Sequence, residues 1–316
     1  MPQTGEASAP GDPRPGCSGQ GLAAAAAAAG PDPGRAPDFT VMGIVNVTPD
    51  SFSDGGLYVD PQAAIEHGLA LESQGAAILD VGGESTRPGA EPVCERVELE
   101  RVLPVIAGLR AAGTRARISI DTSKAAVAAA AIQAGAAMVN DVTALRGDPA
   151  MVEVVAGSGV DCCLMHMLGE PRTMQRSPRY REVVADVREF LQERLAFAVA
   201  HGIAESRIVL DPGIGFGKTD AHNLQLLARL GELVAIGPPV LIGTSRKSFL
   251  GRLTGRDVGE RLAATIATNV LAYERGARIF RVHDAGPVHD ALTIAAATVR
   301  ARWPSTMPTG TTTPTT

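Results

Sequence analysis

Carboxylate and amide side chains end several short apolar runs of this sequence, and such groups could bind a polar heterocycle. Asp121, Asn140 and Asp211 hold these positions, each beside apolar neighbours. A buried carboxylate needs a hydrogen-bond donor, because burial without one is costly. A flat heterocycle with N–H and NH2 groups along one edge supplies such donors. The three residues therefore predict a ring of polar side chains deep in a binding site.

Cationic or potentially cationic side chains follow other runs, and they suit an anion. Lys247, Arg281 and His283 lie at such positions, and Arg87 follows an earlier run. Arginine binds phosphate with a bidentate fork and lysine binds it as a point charge. Asn46 offers a neutral oxygen, which suits a Mg2+ ion that also binds substrate phosphates. We therefore expect a phosphate or diphosphate at the rim of the same site, with Mg2+ bound to it.

These side chains can meet only if the runs before them are neighbouring strands. Strands are predicted at 41–46, 77–81, 117–121, 138–140, 161–165, 208–211, 240–242 and 277–282. Eight evenly sized strand–helix units favour a closed parallel barrel, in which the strand ends converge on one mouth. An open, doubly wound α/β sheet is the alternative, because it would alternate in the same way.

Helix-like stretches separate the predicted strands. They cover 61–74, 94–112, 123–134, 149–156, 179–201, 221–234, 259–275 and 287–301. In the stretch 259–275, Leu262, Ile266, Val270 and Tyr273 recur at helical spacing on one apolar stripe.

The composition marks out one domain between two tails. Of the first 38 residues, 24 are Gly, Pro or Ala, and residues 304–316 are rich in Thr and Pro. Such segments bury too little side chain to offset their ordering entropy, so we expect both to be disordered. Residues 39–303 remain, which suits one barrel of about 250 residues.

Charge and residue usage exclude several classes of protein. The net charge of −5 and the aromatic content of 3% argue against a nucleic-acid binder. No run supplies the roughly 20 apolar residues of a membrane helix. The four cysteines form no CxxC pair, which is typical of free thiols in a reducing cytoplasm. The segment 212–219 nearly matches a phosphate-binding P-loop, but Pro212 replaces its first glycine, so we interpret its glycines as a tight turn.

Together these motifs resemble the dihydropteroate synthase family. The resemblance rests on the segments 42–56, 80–89, 211–218, 244–249 and 281–283, in the order of the family, and covers about residues 39–303. It implies a TIM barrel that joins 6-hydroxymethyl-7,8-dihydropterin diphosphate to 4-aminobenzoate and releases diphosphate. It also implies inhibition by sulfonamides and a homodimer, formed through the last helices.

The resemblance further implies a role for each site residue. The pterin site would comprise Asp121, Asn140, Asp211 and Lys247. The diphosphate site would comprise Asn46, with Mg2+, and Arg281 and His283. The aminobenzoate site would comprise Thr86, Arg87, Pro88, Phe216, Lys247 and Ser248. Two mobile loops would carry Phe52 and Asp54, and Thr86 and Arg87. The catalytic residues would be Asp121, Asp211, Lys247, Arg281 and His283.

Two other functions fit part of the pattern. A pterin-binding methyltransferase barrel would share the deep Asp–Asn–Asp set, but it would not need the rim motifs or the pair Arg281 and His283. A non-catalytic pterin-binding paralogue would have lost part of that rim, whereas every motif is intact here. A diphosphate-release assay separates both from a synthase.

Overall fold

The computed structural model describes residues 38–48, 60–87 and 89–300, with the backbone alone at residue 300. Eight strands lie in these ranges: β1 (Thr40–Asn46), β2 (Ile78–Gly82), β3 (Arg117–Asp121), β4 (Met138–Asp141), β5 (Asp161–Met165), β6 (Ile208–Asp211), β7 (Leu241–Ile242) and β8 (Ile279–Val282). The two predicted tails, apart from Asp38, lie outside the described residues, as do Phe52, Asp54 and Pro88.

Helices alternate with these strands. They are α1 (Pro61–Ser73), α2 (Glu95–Ala111), α3 (Ala125–Ala134), α4 (Met151–Ser158), α5 (Val183–Ala200), α6 (Asp220–Ala228), α7 (Gly231–Val234), α8 (Ser248–Thr254), α9 (Leu262–Glu274) and α10 (Ala285–Arg300). Local chemistry sets several of the ends. Pro61 opens α1, where the missing N–H costs nothing, and the Asp60 carboxylate accepts from the Gln62 N–H. Gly135 ends α3 in the left-handed conformation, at φ 115°.

The strands form one parallel sheet in the order β6-β5-β4-β3-β2-β1-β8-β7. The barrel is closed by a bridge between Leu210 and Val240, which joins β6 to the chain just before β7. The expected single (β/α)8 barrel is therefore confirmed, and the open doubly wound sheet is wrong. Each predicted strand lies within two residues of the observed one at both ends. Within the described ranges, none of the helices has the length and apolar character needed to span a bilayer.

An apolar layer closes the barrel interior below the site. It consists of Met42, Ile78, Met138, Cys163, Val209, Leu241 and Ile279, all buried. Side chains two residues apart on a strand point to the same face. The residues two positions after Ile78, Met138, Val209 and Ile279 therefore point inward one layer higher, and they are Asp80, Asn140, Asp211 and Arg281. The strand periodicity thus stacks a polar layer on an apolar floor.

Three helix predictions need correction. The stretch predicted as one helix over 221–234 divides into α6 and α7, separated by Arg229 and Leu230. Helix α8 was not expected. In α9 the buried residues are Thr265, Asn269, Ala272 and Tyr273, whereas Leu262, Ile266 and Val270 of the predicted stripe are only half-buried.

Hydrogen bonding explains why α9 buries a polar face. The hydroxyl of Thr265 accepts from the backbone N–H of Arg246 at 3.1 Å. The side-chain amide of Asn269 donates to the carbonyl of Thr265 at 2.9 Å. Because buried polar groups with partners are tolerated, the apolar periodicity alone did not identify the inner face.

Candidate active site

A cavity of about 660 Å³ opens at the carboxyl ends of the strands. The strand alternation and the loops that follow the strands bring together here every predicted site residue that the structure describes. These lining residues are Asn46, Thr86, Arg87, Asp121, Asn140, Asp211, Phe216, Lys247, Ser248, Arg281 and His283.

Arg281 lines the cavity and links two carboxylates. Its Nε donates to Oδ2 of Asp80 at 2.6 Å, and its Nη2 donates to Oδ2 of Asp121 at 2.7 Å. The amide of Asn140 donates to the same Asp80 oxygen at 3.0 Å. Burial opposes the charge of Arg281, but Asp80 and Asp121 outweigh it and raise the pKa of the guanidinium.

Asp80 is a site residue that was missed by sequence reasoning. It is fully buried, and its Oδ1 has no hydrogen-bond partner among the described residues. It begins the segment 80–89, but only the later residues of that segment were given roles. The two-residue offset from Ile78, which points into the barrel, is the signal that could have found it.

The two predicted pterin-binding carboxylates have unusual acidities. Burial raises the pKa of Asp121 to about 7, with Arg281 opposing the shift and the carboxylates of Asp80 and Glu98 adding to it. Burial also raises the pKa of Asp211, against the N–H of Gly213, which donates to Asp211 Oδ1 at 2.7 Å. Both groups therefore favour a partner that donates hydrogen bonds to the ionised form.

Lys247 lies between the deep carboxylates and the ring of Phe216. Its ammonium nitrogen is 4.0 Å from the centre of the Phe216 ring. Burial lowers the pKa of Lys247 to about 8, although Asp211 counteracts the shift. A cation over a ring face is attracted by the quadrupole of the ring, so this contact fixes Lys247 and Phe216 together.

The loops after β7 and β8 are joined by two side-chain contacts. Ser245 Oγ accepts from the backbone N–H of His283 at 3.1 Å and lies 2.9 Å from His283 Nδ1. Arg246 binds Asp284 through two donors, at 3.0 and 2.6 Å. Arg246 has a φ of 56°, and this left-handed turn carries the chain from Ser245 to Lys247.

His283 is neutral in this arrangement, although sequence reasoning treated it as potentially cationic. Burial lowers its pKa to about 3, and the nearby charges of Arg246 and Arg281 add to the effect. If Ser245 donates its hydroxyl proton to Nδ1, the imidazole keeps its own proton on Nε2. His283 then acts as a neutral hydrogen-bond donor.

An ion-pair cluster supports the base of the loop that carries Thr86 and Arg87. Lys124 pairs with Glu84, a lining residue, and with the buried Glu98 at 2.5 Å. Burial opposes the charge of Lys124, but both glutamates raise its pKa. Sequence reasoning missed Lys124 and Glu98, because they belong to different helical units and meet only in the folded barrel.

Comparisons with known proteins agree with this geometry. Residues 42–283 match the family model described as pterin binding enzyme. Dihydropteroate synthase of Mycobacterium leprae is 49% identical over 268 residues, which cover 83% of this chain and 94% of that protein. Dihydropteroate synthase of Escherichia coli K12 is 45% identical over 262 residues, covering 83% and 92%.

Solved structures show the same similarity. Xanthomonas albilineans dihydropteroate synthase with 4-aminobenzoic acid is 50% identical with a TM-score of 0.78, covering 82% of this chain and 93% of that one. Yersinia pestis dihydropteroate synthase with a sulfonamide drug is 46% identical with a TM-score of 0.79, covering 83% and 94%. The chain belongs to the dihydropteroate synthase family of pterin-binding enzymes.

Proposed function

We propose that this chain condenses 6-hydroxymethyl-7,8-dihydropterin diphosphate with 4-aminobenzoate, giving 7,8-dihydropteroate and diphosphate. One observation carries the proposal: Asp121, Asn140 and Asp211 line the same cavity as the cationic groups of Lys247 and Arg281. Donors of a heterocycle and an anionic leaving group therefore find complementary partners in one cavity.

The deep residues provide the acceptors that the pterin edge needs. Asp121 and Asp211 are nine-tenths or more buried, and this burial raises the pKa of both carboxyl groups. Ring N–H and NH2 groups donate to carboxylates in short, charge-assisted hydrogen bonds. Arg281 holds one of these carboxylates in the free protein, so pterin binding exchanges that contact for substrate donors.

Mg2+ is part of this proposal, and the donor set is compatible with it. Asn46 ends β1 half-buried at the cavity, where its amide oxygen could serve as a ligand. Among the described residues, no group of three His, Cys, Asp or Glu side chains could hold a metal on its own. Mg2+ commonly takes one or two protein ligands together with substrate phosphates and waters. When bound with the diphosphate, it would neutralise negative charge on the leaving group.

The residues of the chain would assist departure of the diphosphate and attack by the amine. Arg281 and the neutral His283 donate hydrogen bonds where charge develops on the leaving oxygen. Cleavage of the C–O bond leaves positive charge on the pterin methylene, which the carboxylates of Asp121 and Asp211 stabilise. The aromatic amine then forms the C–N bond, and its surplus proton passes to the released diphosphate or to solvent. The reaction needs no nucleophilic side chain.

The second substrate would lie between the ring of Phe216 and the loop that carries Thr86 and Arg87. Phe216, Lys247, Ser248, Thr86 and Arg87 all line the cavity, and the Lys247 ammonium nitrogen lies 4.0 Å from the centre of the Phe216 ring. A sulfonamide presents the same aniline ring and a polar acidic group, so we propose that it competes for this pocket.

We also propose a homodimer formed through α9 and α10. Apolar side chains are exposed there: Leu271 is 45% exposed, Ile294 69% and Val299 57%. Pairing two copies would remove this apolar surface from water. Sedimentation of the wild type and of Ile294→Glu tests it, because the charged variant should run as a monomer.

The activity is tested by incubating the chain with pterin diphosphate, 4-aminobenzoate and Mg2+. The expected result is dihydropteroate by mass spectrometry and one diphosphate released for each product. Omission of 4-aminobenzoate is the control, and Asp211→Asn is the matched variant. Diphosphate release that does not depend on 4-aminobenzoate would contradict the proposal.

A further inference from the structure

The segment 212–219, with its near match to a P-loop, has a different use in the structure. Its glycines at 213, 215 and 217 have φ values of 64°, 84° and 62°, so the chain turns sharply three times. A Cβ on Gly213 would lie 1.9 Å from the carbonyl oxygen of His166, and one on Gly217 would lie 2.6 Å from that of Leu168. The turn therefore packs its backbone directly against the chain that follows β5.

Lys218 points into this contact rather than towards a phosphate. Its side chain is 2% exposed. The ammonium nitrogen lies 2.8 Å from His166 Nδ1, 3.0 Å from the Phe216 carbonyl oxygen and 3.3 Å from the His166 carbonyl oxygen. Burial lowers the pKa of Lys218 well below its ordinary value, although the charge of Asp211 opposes the shift, and the three acceptors around the nitrogen can take the protons that it carries.

Three consecutive carbonyls of the turn are each held by a side-chain donor. Gln175 donates to the carbonyl of Gly215 at 2.5 Å, Lys218 to that of Phe216, and the hydroxyl of Tyr180 to that of Gly217 at 2.7 Å. Gln175 and Tyr180 both come from the connection between β5 and α5. Gln175 therefore fixes the peptide group before Phe216 from outside the turn, Lys218 fixes the one after it from within the turn, and Tyr180 fixes the next one from outside.

The connection that supplies these donors is itself anchored by ring contacts. His166 packs edge-on against Phe190 of α5, with ring centres 4.8 Å apart, and lies 5.9 Å from the ring of Tyr180. Burial lowers the pKa of His166 to about 2, so its ring is neutral and Nδ1 can accept from Lys218.

We propose that Lys218 and Tyr180 are positioning residues, which hold the Phe216 ring at the aminobenzoate pocket through the backbone of its turn. The inference rests on the proposed function, since it assigns these residues to the second-substrate half of the same site. Neither residue needs to touch aminobenzoate. Loss of either tether would let the Phe216 ring shift, while Asp121, Asn140 and Asp211 of the pterin site stay in place.

The test compares Tyr180→Phe with Tyr273→Phe. Each removes one phenol hydroxyl that donates a hydrogen bond, and Tyr273 donates to Asp38 at 2.6 Å at the opposite end of the barrel. Affinity for 4-aminobenzoate is measured by calorimetry with pterin and diphosphate present, so that the reading does not depend on turnover. Steady-state kinetics then give KM and kcat for each substrate, and thermal melting gives the stability of each variant.

We expect Tyr180→Phe to weaken 4-aminobenzoate binding and to raise its KM about fivefold, the effect of roughly one lost hydrogen bond. The pterin affinity and the kcat at saturating 4-aminobenzoate should stay within about twofold of the wild-type values, because no hydrogen bond to the pterin site is lost. Tyr273→Phe should lower the Tm by a similar amount but leave the KM for 4-aminobenzoate at the wild-type value. Lys218→Met should show the same pattern more strongly, and if that variant does not fold, Tyr180→Phe alone decides.

Equal KM values for 4-aminobenzoate in the two tyrosine variants would overturn the inference. It would also be overturned if Tyr180→Phe weakened pterin binding as much as 4-aminobenzoate binding. A wild-type chain that does not bind 4-aminobenzoate would instead overturn the proposed function.

Discussion

Pterin affinity should fall steeply as the pH drops below 7, because Asp121 must be ionised to accept from the heterocycle. In the free protein its pKa is about 7. A bound pterin donates N–H groups to the carboxylate and so favours the ionised form, which lowers that pKa. Binding therefore releases a proton from every molecule in which Asp121 was protonated.

The size of the effect follows from the fraction ionised. That fraction is about one half at pH 7 and about 1% at pH 5, so the affinity should decline about 50-fold between them, or roughly 2.3 kcal/mol. This 50-fold decline corresponds to a pKa of Asp121 below about 4 in the pterin complex. The charged groups that set the free pKa are Arg281, Asp80, Glu98 and Asp141.

Calorimetry with a pterin that lacks the diphosphate provides the assay, because no phosphate then titrates in this range. Titrations in two buffers of different ionisation enthalpy count the protons released, which should be about half a proton at pH 7 and about 0.9 at pH 6. Two neighbours should stay silent between pH 5 and 7, since the pKa of Lys247 is about 8 and that of His283 about 3.

Asp121→Asn is the matched variant, because the amide keeps the shape of the side chain but cannot ionise. Its pterin affinity should be lower at pH 7 and nearly constant between pH 5 and 7. A wild-type affinity that does not change with pH would refute the reasoning. A pH dependence that survives in Asp121→Asn and disappears in Asp211→Asn would move the titration to Asp211.

Four further results are expected. Asp211→Asn should weaken pterin binding by about 1–3 kcal/mol in calorimetry and leave 4-aminobenzoate binding less affected, because the new amide places a donor opposite the donors of the heterocycle. Excess chelator should abolish turnover, and added Mg2+ should restore it; full turnover in chelator would exclude the metal. Sulfonamide should inhibit competitively with 4-aminobenzoate, and one residue inserted after Phe216 should raise the drug Ki more than the substrate KM. Lys124→Met should lower the free energy of unfolding by about 3–5 kcal/mol in urea, because it leaves the buried carboxylate of Glu98 unpaired.

The barrel could be predicted from the sequence because each strand is a short buried run followed by a polar residue. Parallel strands buried on both faces read as continuous apolar segments, and β5 and β6 match their predicted bounds at both ends. Helix α8 was missed because its seven residues begin at the predicted site residue Ser248, in a stretch between the predicted strand 240–242 and the predicted helix 259–275 to which no element was assigned. The face of α9 was missed because Thr265 and Asn269 are buried with their hydrogen-bond partners.

The site residues were predictable where a functional group ends a strand, as for Asn140 and Asp211. Residues that act by contact across the barrel were not, because a sequence does not show which distant groups meet. Asp80 and Arg281 are 201 positions apart, yet their side chains lie within 2.6 Å. The same holds for Tyr180, whose phenol reaches the turn after β6.

The barrel is joined most weakly between β6 and β7, where the pairing reduces to the bridge of Leu210 with Val240 and a 2.9 Å bond from the Leu210 N–H to the Pro239 carbonyl. Local opening should therefore begin at this junction, and amide exchange should be faster in β7 than in β3, which pairs on both edges. The half of the mouth with Phe216 and Lys247 adjoins this junction, whereas Asp121 lies in the continuous half. Of the expected pterin residues, Asp121 and Asn140 then lie on the stiff side of the barrel and Asp211 and Lys247 beside the compliant junction, and substitutions that change amine or inhibitor preference should be tolerated mainly on the compliant side.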